Sequence, residues 1–190
     1  MFPNIPFRRV DWISSSFLIG TALLTITAVP WYLFTFGWDW FLFGLFFVLY
    51  LTTGLSITVG YHRLFSHRTF KASMPVRLFT LIFGAAAFEN SVLEWCSDHR
   101  NHHKHVDSDD DPYDISKGFF WAHIGWILFK IQPPPPLDNV SDLKRDPLIV
   151  WQHKWVQLIA LTIGFGLPTL IGYLYADLTG AMSVSQGLLG

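Results

Sequence analysis

Eight histidines occur in the 190 residues, and five of them fall into two tight groups. His99, His102 and His103 are spaced i, i+3 and i+4. On a helix that spacing puts three imidazoles on one face, inside a stripe roughly 100° wide. A solvated helix gains nothing from stacking histidines this way. A metal site does, because each neutral imidazole offers one nitrogen lone pair. His62 and His67, spaced i, i+5, point ~140° apart on a regular α-helix. They converge only where a helix ends or bends. His105, His123 and His153 read as polar surface or satisfied core groups.

All-nitrogen ligation suits iron, zinc, copper or nickel. Asp107 lies four residues past His103 and Asp98 directly precedes His99. Either carboxylate could accept from the ring nitrogen that faces away from a metal and so fix the tautomer. Glu89 and Glu94 lie on the approach to the same helix and are available as carboxylate ligands, though nothing in their spacing demands it. Asp107, Asp109 and Asp111 imitate a calcium loop. Such a loop needs glycine at its sixth position, and Pro112 stands there. Arg100 and Lys104 read as solvated charge, and Cys96 as an inert buried thiol.

The elements that must position these groups are strongly apolar. Hydrophobic residues make up 51% of the chain and charged residues only 14%, which departs from soluble composition in both directions. Ile13–Phe36 is uncharged over 24 positions, Trp40–Gly60 over 21 and Trp155–Ala176 over 22. Each is long enough for ~30 Å of hydrocarbon. The first two predict a membrane hairpin with Gly37–Asp39 as its turn. Residues 181–190 begin another apolar stretch, a partial fourth span. Leu78–Phe88 is apolar but too short to cross, so it predicts a buried, re-entrant or interfacial helix. Phe119–Phe129 is amphipathic and aromatic and predicts an interfacial helix. Pro133–Pro136 predicts a stiff connector. The fold class expected is an all-α integral membrane protein of one domain, residues 1–190, with a polar helical region at 61–148 that carries the histidines.

Net charge is −1, which leaves no basic footprint for nucleic acid. A single cysteine excludes an internal disulfide. The N-terminal segment, with Arg8 and Arg9, precedes an apolar run too long for a signal peptide and lacks a cleavage site, so it reads as retained. Of 13 Lys and Arg, two precede the first span, ten lie in 61–148 and Lys154 borders the third span. That bias predicts a cytoplasmic N-terminus and a cytoplasmic histidine loop.

The motifs His-Arg-Leu-Phe-Ser-His at 62–67 and Asp-His-Arg-Asn-His-His-Lys-His-Val-Asp at 98–107 resemble the first two histidine boxes of the membrane fatty acyl desaturases. Asp-Pro at 111–112, Lys-Gly-Phe-Phe-Trp-Ala-His-Ile-Gly-Trp at 117–126, Ser-Asp-Leu at 141–143 and Gln152 fit the same pattern, nearest to the stearoyl-CoA delta-9 branch. The resemblance covers roughly residues 40–185. It implies a diiron centre with His62, His67, His99, His102 and His103 among the iron ligands. It implies O2 as co-substrate and a long-chain acyl substrate that gains a cis double bond, at delta-9 by resemblance to that branch. Electrons would come from a ferredoxin, cytochrome b5 or rubredoxin-type donor. Redox-inert zinc could not supply that chemistry.

By the same resemblance, Asn90, Trp95 and Asp98 match positions near the substrate tunnel and its thioester end, and Lys130 matches a position associated with CoA phosphates. Ser97 stands where the acyl-CoA branch often has a basic residue, which leaves CoA, acyl carrier protein and lipid open as acyl carriers. The family's third box, His-x-x-His-His, has no counterpart here, and His153 matches a basic position that is not a ligand. The chain is therefore expected to be the N-terminal portion of such an enzyme. A related membrane diiron hydroxylase and a non-catalytic metal-binding fragment are the alternatives.

Overall fold

The computed structural model describes residues 7–129 and 137–190. Lys130 and the Pro133–Pro136 connector lie outside the described residues. All regular elements among the described residues are helical. Three are long and apolar enough to cross a membrane: Trp12–Phe36, Trp40–Ser66 and Pro147–Thr179. At 1.5 Å per residue each exceeds the ~30 Å hydrocarbon thickness.

Helix α1 (Trp12–Phe36) is capped by the Asp11 carboxylate, which accepts from the backbone N–H groups of Ile13 and Ser14. It ends at Gly37, whose φ of +82° suits a residue without a Cβ. Asp39 caps α2 (Trp40–Leu55) in the same manner. Both helices leave large apolar side chains outward, with Phe34 92% exposed and Trp40 76% exposed. Such surfaces are stable where lipid replaces water.

The second span does not stop where its uncharged run stops. From Ser56 to Ser66 the helix continues in π geometry. Thr52, Thr53, Ser56 and Thr58 each donate a hydroxyl to a carbonyl one turn back. Such back-bonding competes for the carbonyls of the regular ladder and loosens it. A second π segment, Thr162–Gly166, divides the third span into α6 (Pro147–Leu161) and α7 (Leu167–Thr179). It precedes Pro168, which has no N–H to offer and crowds the carbonyl four residues back. The third span thus begins eight residues before its uncharged run. Pro147 at the first helical position and Asp146, which caps the Leu148 N–H, explain that start.

The short apolar helix predicted at 78–88 is α3 (Met74–Ala85), displaced toward the N-terminus because Ser73 and Pro75 start it. Helix α3 lies against the π segment with almost no gap. A Cβ on Gly84 would meet the Tyr61 ring at 2.4 Å, and one on Gly60 would meet Thr80 Cβ at 2.6 Å. Helix α4 (Val92–His105) follows, opened by a reciprocal Ser91–Glu94 capping box. The core joins Tyr61, Leu64 and Phe65 of the π segment to Leu81, Val92, Leu93, Cys96 and Ile149. Residues 121–125 form a π turn continued by α5 (Trp126–Leu128). The Leu128 carbonyl accepts from Asp11 N–H at 2.8 Å and Ser15 Oγ at 3.1 Å, which docks this segment on the start of α1. Helix α8 (Val184–Leu189) turns back on α7, with Gly172 against Gly187.

One buried polar bridge ties three elements together. Gln152 of α6 donates from Nε2 to Tyr61 Oη at 2.7 Å and accepts the Val92 N–H at 3.1 Å. Gln152 and Tyr61 are both fully buried. Gln152→Leu strands the Val92 donor and the Tyr61 hydroxyl, and we expect a loss of about 1–3 kcal/mol in unfolding free energy. Denaturant unfolding in detergent, compared with the wild type, checks it.

Candidate metal centre

The two histidines spaced five apart need a helix whose turn closes five residues on. The π segment supplies it: His67 N–H donates to the His62 carbonyl at 3.0 Å. The i→i+5 bond brings together rings that a regular α-helix would splay. Their centroids are 4.6 Å apart and their Nε2 atoms 3.1 Å apart. On α4, His99 and His103 are one turn apart, with Nε2 atoms separated by 3.0 Å. His67 Nε2 is also 3.0 Å from His99 Nε2. The four ligand atoms of His62, His67, His99 and His103 lie within 4.8 Å of one another.

Hydrogen bonding does not account for this geometry. Each Nε2 is either a donor or an acceptor, never both. His67 Nε2 meets two partners and so does His99 Nε2. One proton would have to serve two acceptors while one lone pair served two donors. A cation facing four lone pairs resolves the conflict. With metal–nitrogen bonds of about 2.0–2.1 Å, nitrogens at right angles sit about 2.9 Å apart, close to the spacings here. The protonation states agree. Burial first, then the neighbouring imidazoles His62, His103, His67 and His102, pushes His99 down to about 3. His67 is also lowered, by burial first and then by His62, His103 and Arg100. Neutral rings are what a metal requires.

His102 stands beside this group. Its ring centroid is 5.4 Å from that of His103 and 6.3 Å from that of His99. Its Nδ1 faces the Asp111 carboxylate at 2.9 Å. Spacing pointed to Asp107 and Asp98 as the carboxylates that orient these rings. The only part of Asp107 in that contact is its backbone N–H, which donates to Asp111 Oδ2 at 3.0 Å. Asp98 is half-buried, and burial followed by the Glu94 charge raises its carboxyl to about 6. Spacing marked Asp111 only as part of a calcium-loop imitation and not as a partner of His102, to which it returns across nine residues.

The sequence profile described as fatty acid desaturase matches residues 38–187. The chain belongs to the fatty acid desaturase family. Curated relatives agree. The probable acyl-CoA desaturase of Schizosaccharomyces pombe is 37% identical over 92% of this chain and 36% of its own length. The stearoyl-CoA desaturase of Bos taurus is 39% identical over 93% of this chain and 49% of its own. The Delta(9)-fatty-acid desaturase fat-6 of Caenorhabditis elegans is 38% identical over 88% of this chain and 50% of its own. The chain therefore spans between about a third and a half of the length of these relatives.

The other residues singled out in the sequence take distinct places. Trp95 stacks on His99 at 4.8 Å and 25°, and its Nε1 donates to Glu89 Oε2 at 3.0 Å. Asn90 is exposed, with φ +68°, just ahead of α4. Glu89 is engaged with Trp95 and Glu94 with the cap of α4, so neither carboxylate joins the four imidazoles. Ser97 is buried and exchanges hydrogen bonds with Asn139. His123 stacks on Phe119, and His153 bonds Ser91. His105 lies 3.9 Å from Asp110. Burial raises the Cys96 thiol to about 12, consistent with an inert sulfur.

Arg100 corrects the reading of a solvated charge. It donates to the carbonyls of Phe65, Ser66 and Asn139 and grips Asp142 with two nitrogens, at 2.8 and 3.1 Å. The Phe65 and Ser66 carbonyls are at the C-terminal end of the π segment, beside His67. Arg100 therefore locks the two histidine-bearing segments in register. Its bidentate bond holds the Asp142 carboxyl below the usual carboxylate range. Arg100→Ala is expected to cost about 2–3 kcal/mol near neutral pH. The clamp's electrostatic part is whole above the ordinary Asp pKa of about 4 and is lost as pH falls through the depressed folded value. Unfolding of wild type and variant from pH 7 to 3 should show the gap narrowing in acid.

Proposed function

We propose that this chain carries part of the active site of an O2-dependent acyl-CoA desaturase that introduces a cis double bond at delta-9. Iron would be held by His62, His67, His99, His102 and His103, as part of the ligand set of a diiron centre. The observation that carries this reading is the convergence of four imidazole nitrogens at the end of an apolar helix. Bound iron would supply O2 activation and the oxidising power to remove hydrogen from an unactivated chain. The rest is positioning by the protein.

A groove of about 450 Å³, lined by Tyr50, Thr53, Ile57, Thr58, Ala86 and Glu89, lies near the Trp95 side of the cluster. It shares Tyr50, Thr53 and Ala86 with a second groove of about 300 Å³ that continues along Leu42, Leu45 and Leu49 of α2. This apolar path supports an acyl chain lying along α2 with its reactive carbon near the histidines, where fixed geometry selects the carbon attacked. Asn90, Trp95 and Asp98 would meet the head of the substrate, and Lys130 its CoA phosphates. His67 and His103 are exposed, which supports approach of an electron donor of ferredoxin, cytochrome b5 or rubredoxin type from the water side. The positive-inside bias supports a cytoplasmic orientation for that side.

Two measurements test the reading. The purified chain should bind a divalent transition metal, with His99→Ala reducing occupancy at least 10-fold by elemental analysis. Retention of metal by a His67→Ala/His99→Ala double variant would overturn the site. The protein containing this chain, in membranes with a reductase and a saturated long-chain acyl-CoA, should yield the cis alkene. An alcohol instead would make it a hydroxylase.

A further inference from the structure

Asp111 is fully buried, yet no lysine or arginine is paired with it among the described residues. Its oxygens instead collect three nitrogens. Oδ1 accepts the Tyr113 N–H at 3.1 Å, and Oδ2 accepts the Asp107 N–H at 3.0 Å. His102 Nδ1 lies 2.9 and 3.0 Å from the two oxygens. An ionised carboxylate only accepts, so the contact is attractive only if the ring nitrogen facing it carries the proton. The Tyr113 ring lies on the imidazole at 4.4 Å and is itself backed by Trp126 at 4.9 Å. One group thus fixes the edge of the ring, and the other fixes its plane.

We propose that Asp111 is the positioning residue of His102: it holds the imidazole in the Nδ1–H tautomer, with Tyr113 setting the ring plane, so that Nε2 presents its lone pair to a transition metal. This rests on the reading of His102 as a ligand. A neutral histidine in water divides its proton between both nitrogens and turns freely. Orientation by an outer carboxylate removes both losses and raises the basicity of the ligating nitrogen. The turn is built for that purpose. Pro112 disfavours a helical Asp111, Asp107 adopts φ +55°, and the two backbone N–H bonds seat the carboxylate before any metal arrives. The other four candidate ligands meet through Nε2. Among the described residues, His102 is the one of the five held from behind by a carboxylate.

The first test needs neither metal nor a substituted Asp111. In the metal-free chain with ¹⁵N-labelled histidine, the His102 signal, assigned by its loss in His102→Gln, should show protonated Nδ1 and bare Nε2 at pH 7. An Nε2–H tautomer, or a rapidly averaged ring, would overturn the proposal. The second is a double-mutant cycle on Co²⁺ affinity. Asp111→Asn should weaken binding by about 10- to 100-fold in the wild-type background and change nothing in His102→Ala. Equal losses in both backgrounds would mean that Asp111 only supports the turn, which also overturns the proposal. If the wild-type chain binds no cobalt, the metal reading fails, and the tautomer result alone decides the role of Asp111.

Discussion

One backbone hydrogen bond, from the His67 N–H to the His62 carbonyl, governs the geometry of the whole polar face. Residues five apart on an α-helix look away from each other. Stretching the turn to close on the fifth residue brings both rings to one side, where His99 and His103 can reach them. A π-helix is a poor structure in isolation, with a wide turn and few contacts across its axis. It persists here because neighbours fill the space around it. Helix α3 presses against Gly60 and Tyr61, Gln152 ties the Tyr61 hydroxyl to the start of α4, and Arg100 takes up the last carbonyls.

The scaffold also explains why the site stands at an apolar boundary. The second span is apolar and long enough to cross lipid, and it carries His62 in the same unbroken element with His67 as its C-cap. No flexible loop separates the anchor from the ligands, so the positions of His62 and His67 inherit the rigidity of the span. Helix α4 is held to that element by packed side chains, by the Cys96 contact with the Tyr61 carbonyl at 3.5 Å, and by the Arg100 clamp. The two histidine groups therefore meet as rigid bodies. Groups held in this way are costly to move, which is what a metal site or a selective substrate channel requires.

Much of this was legible in the order of residues. The uncharged runs marked three spans because lipid excludes charge over a fixed thickness. The two histidine motifs identified the family, and four of their five candidate ligands gather. The limits of the elements moved. Asp146 with Pro147, and Pro75 in the first turn of α3, start their helices ahead of the apolar runs, because a cap or an early proline acts on the backbone before hydrophobicity begins. The i, i+3, i+4 spacing placed His102 with His99 and His103. In the fold, His102 is drawn to Asp111 and the stripe divides.

Sequence periodicity describes an isolated helix, and on that basis it settled the apolar spans, the histidine-bearing segments and the family to which they belong. Only the tertiary structure decided that residues 56–66 widen into a π-helix, that the Asp111 carboxylate lies against His102, and that Arg100 bridges two segments instead of facing water. Each of those outcomes depends on partners 9 to 91 residues away in the chain. No local pattern records such pairings, because they are selected by which surfaces the packed helices bring together.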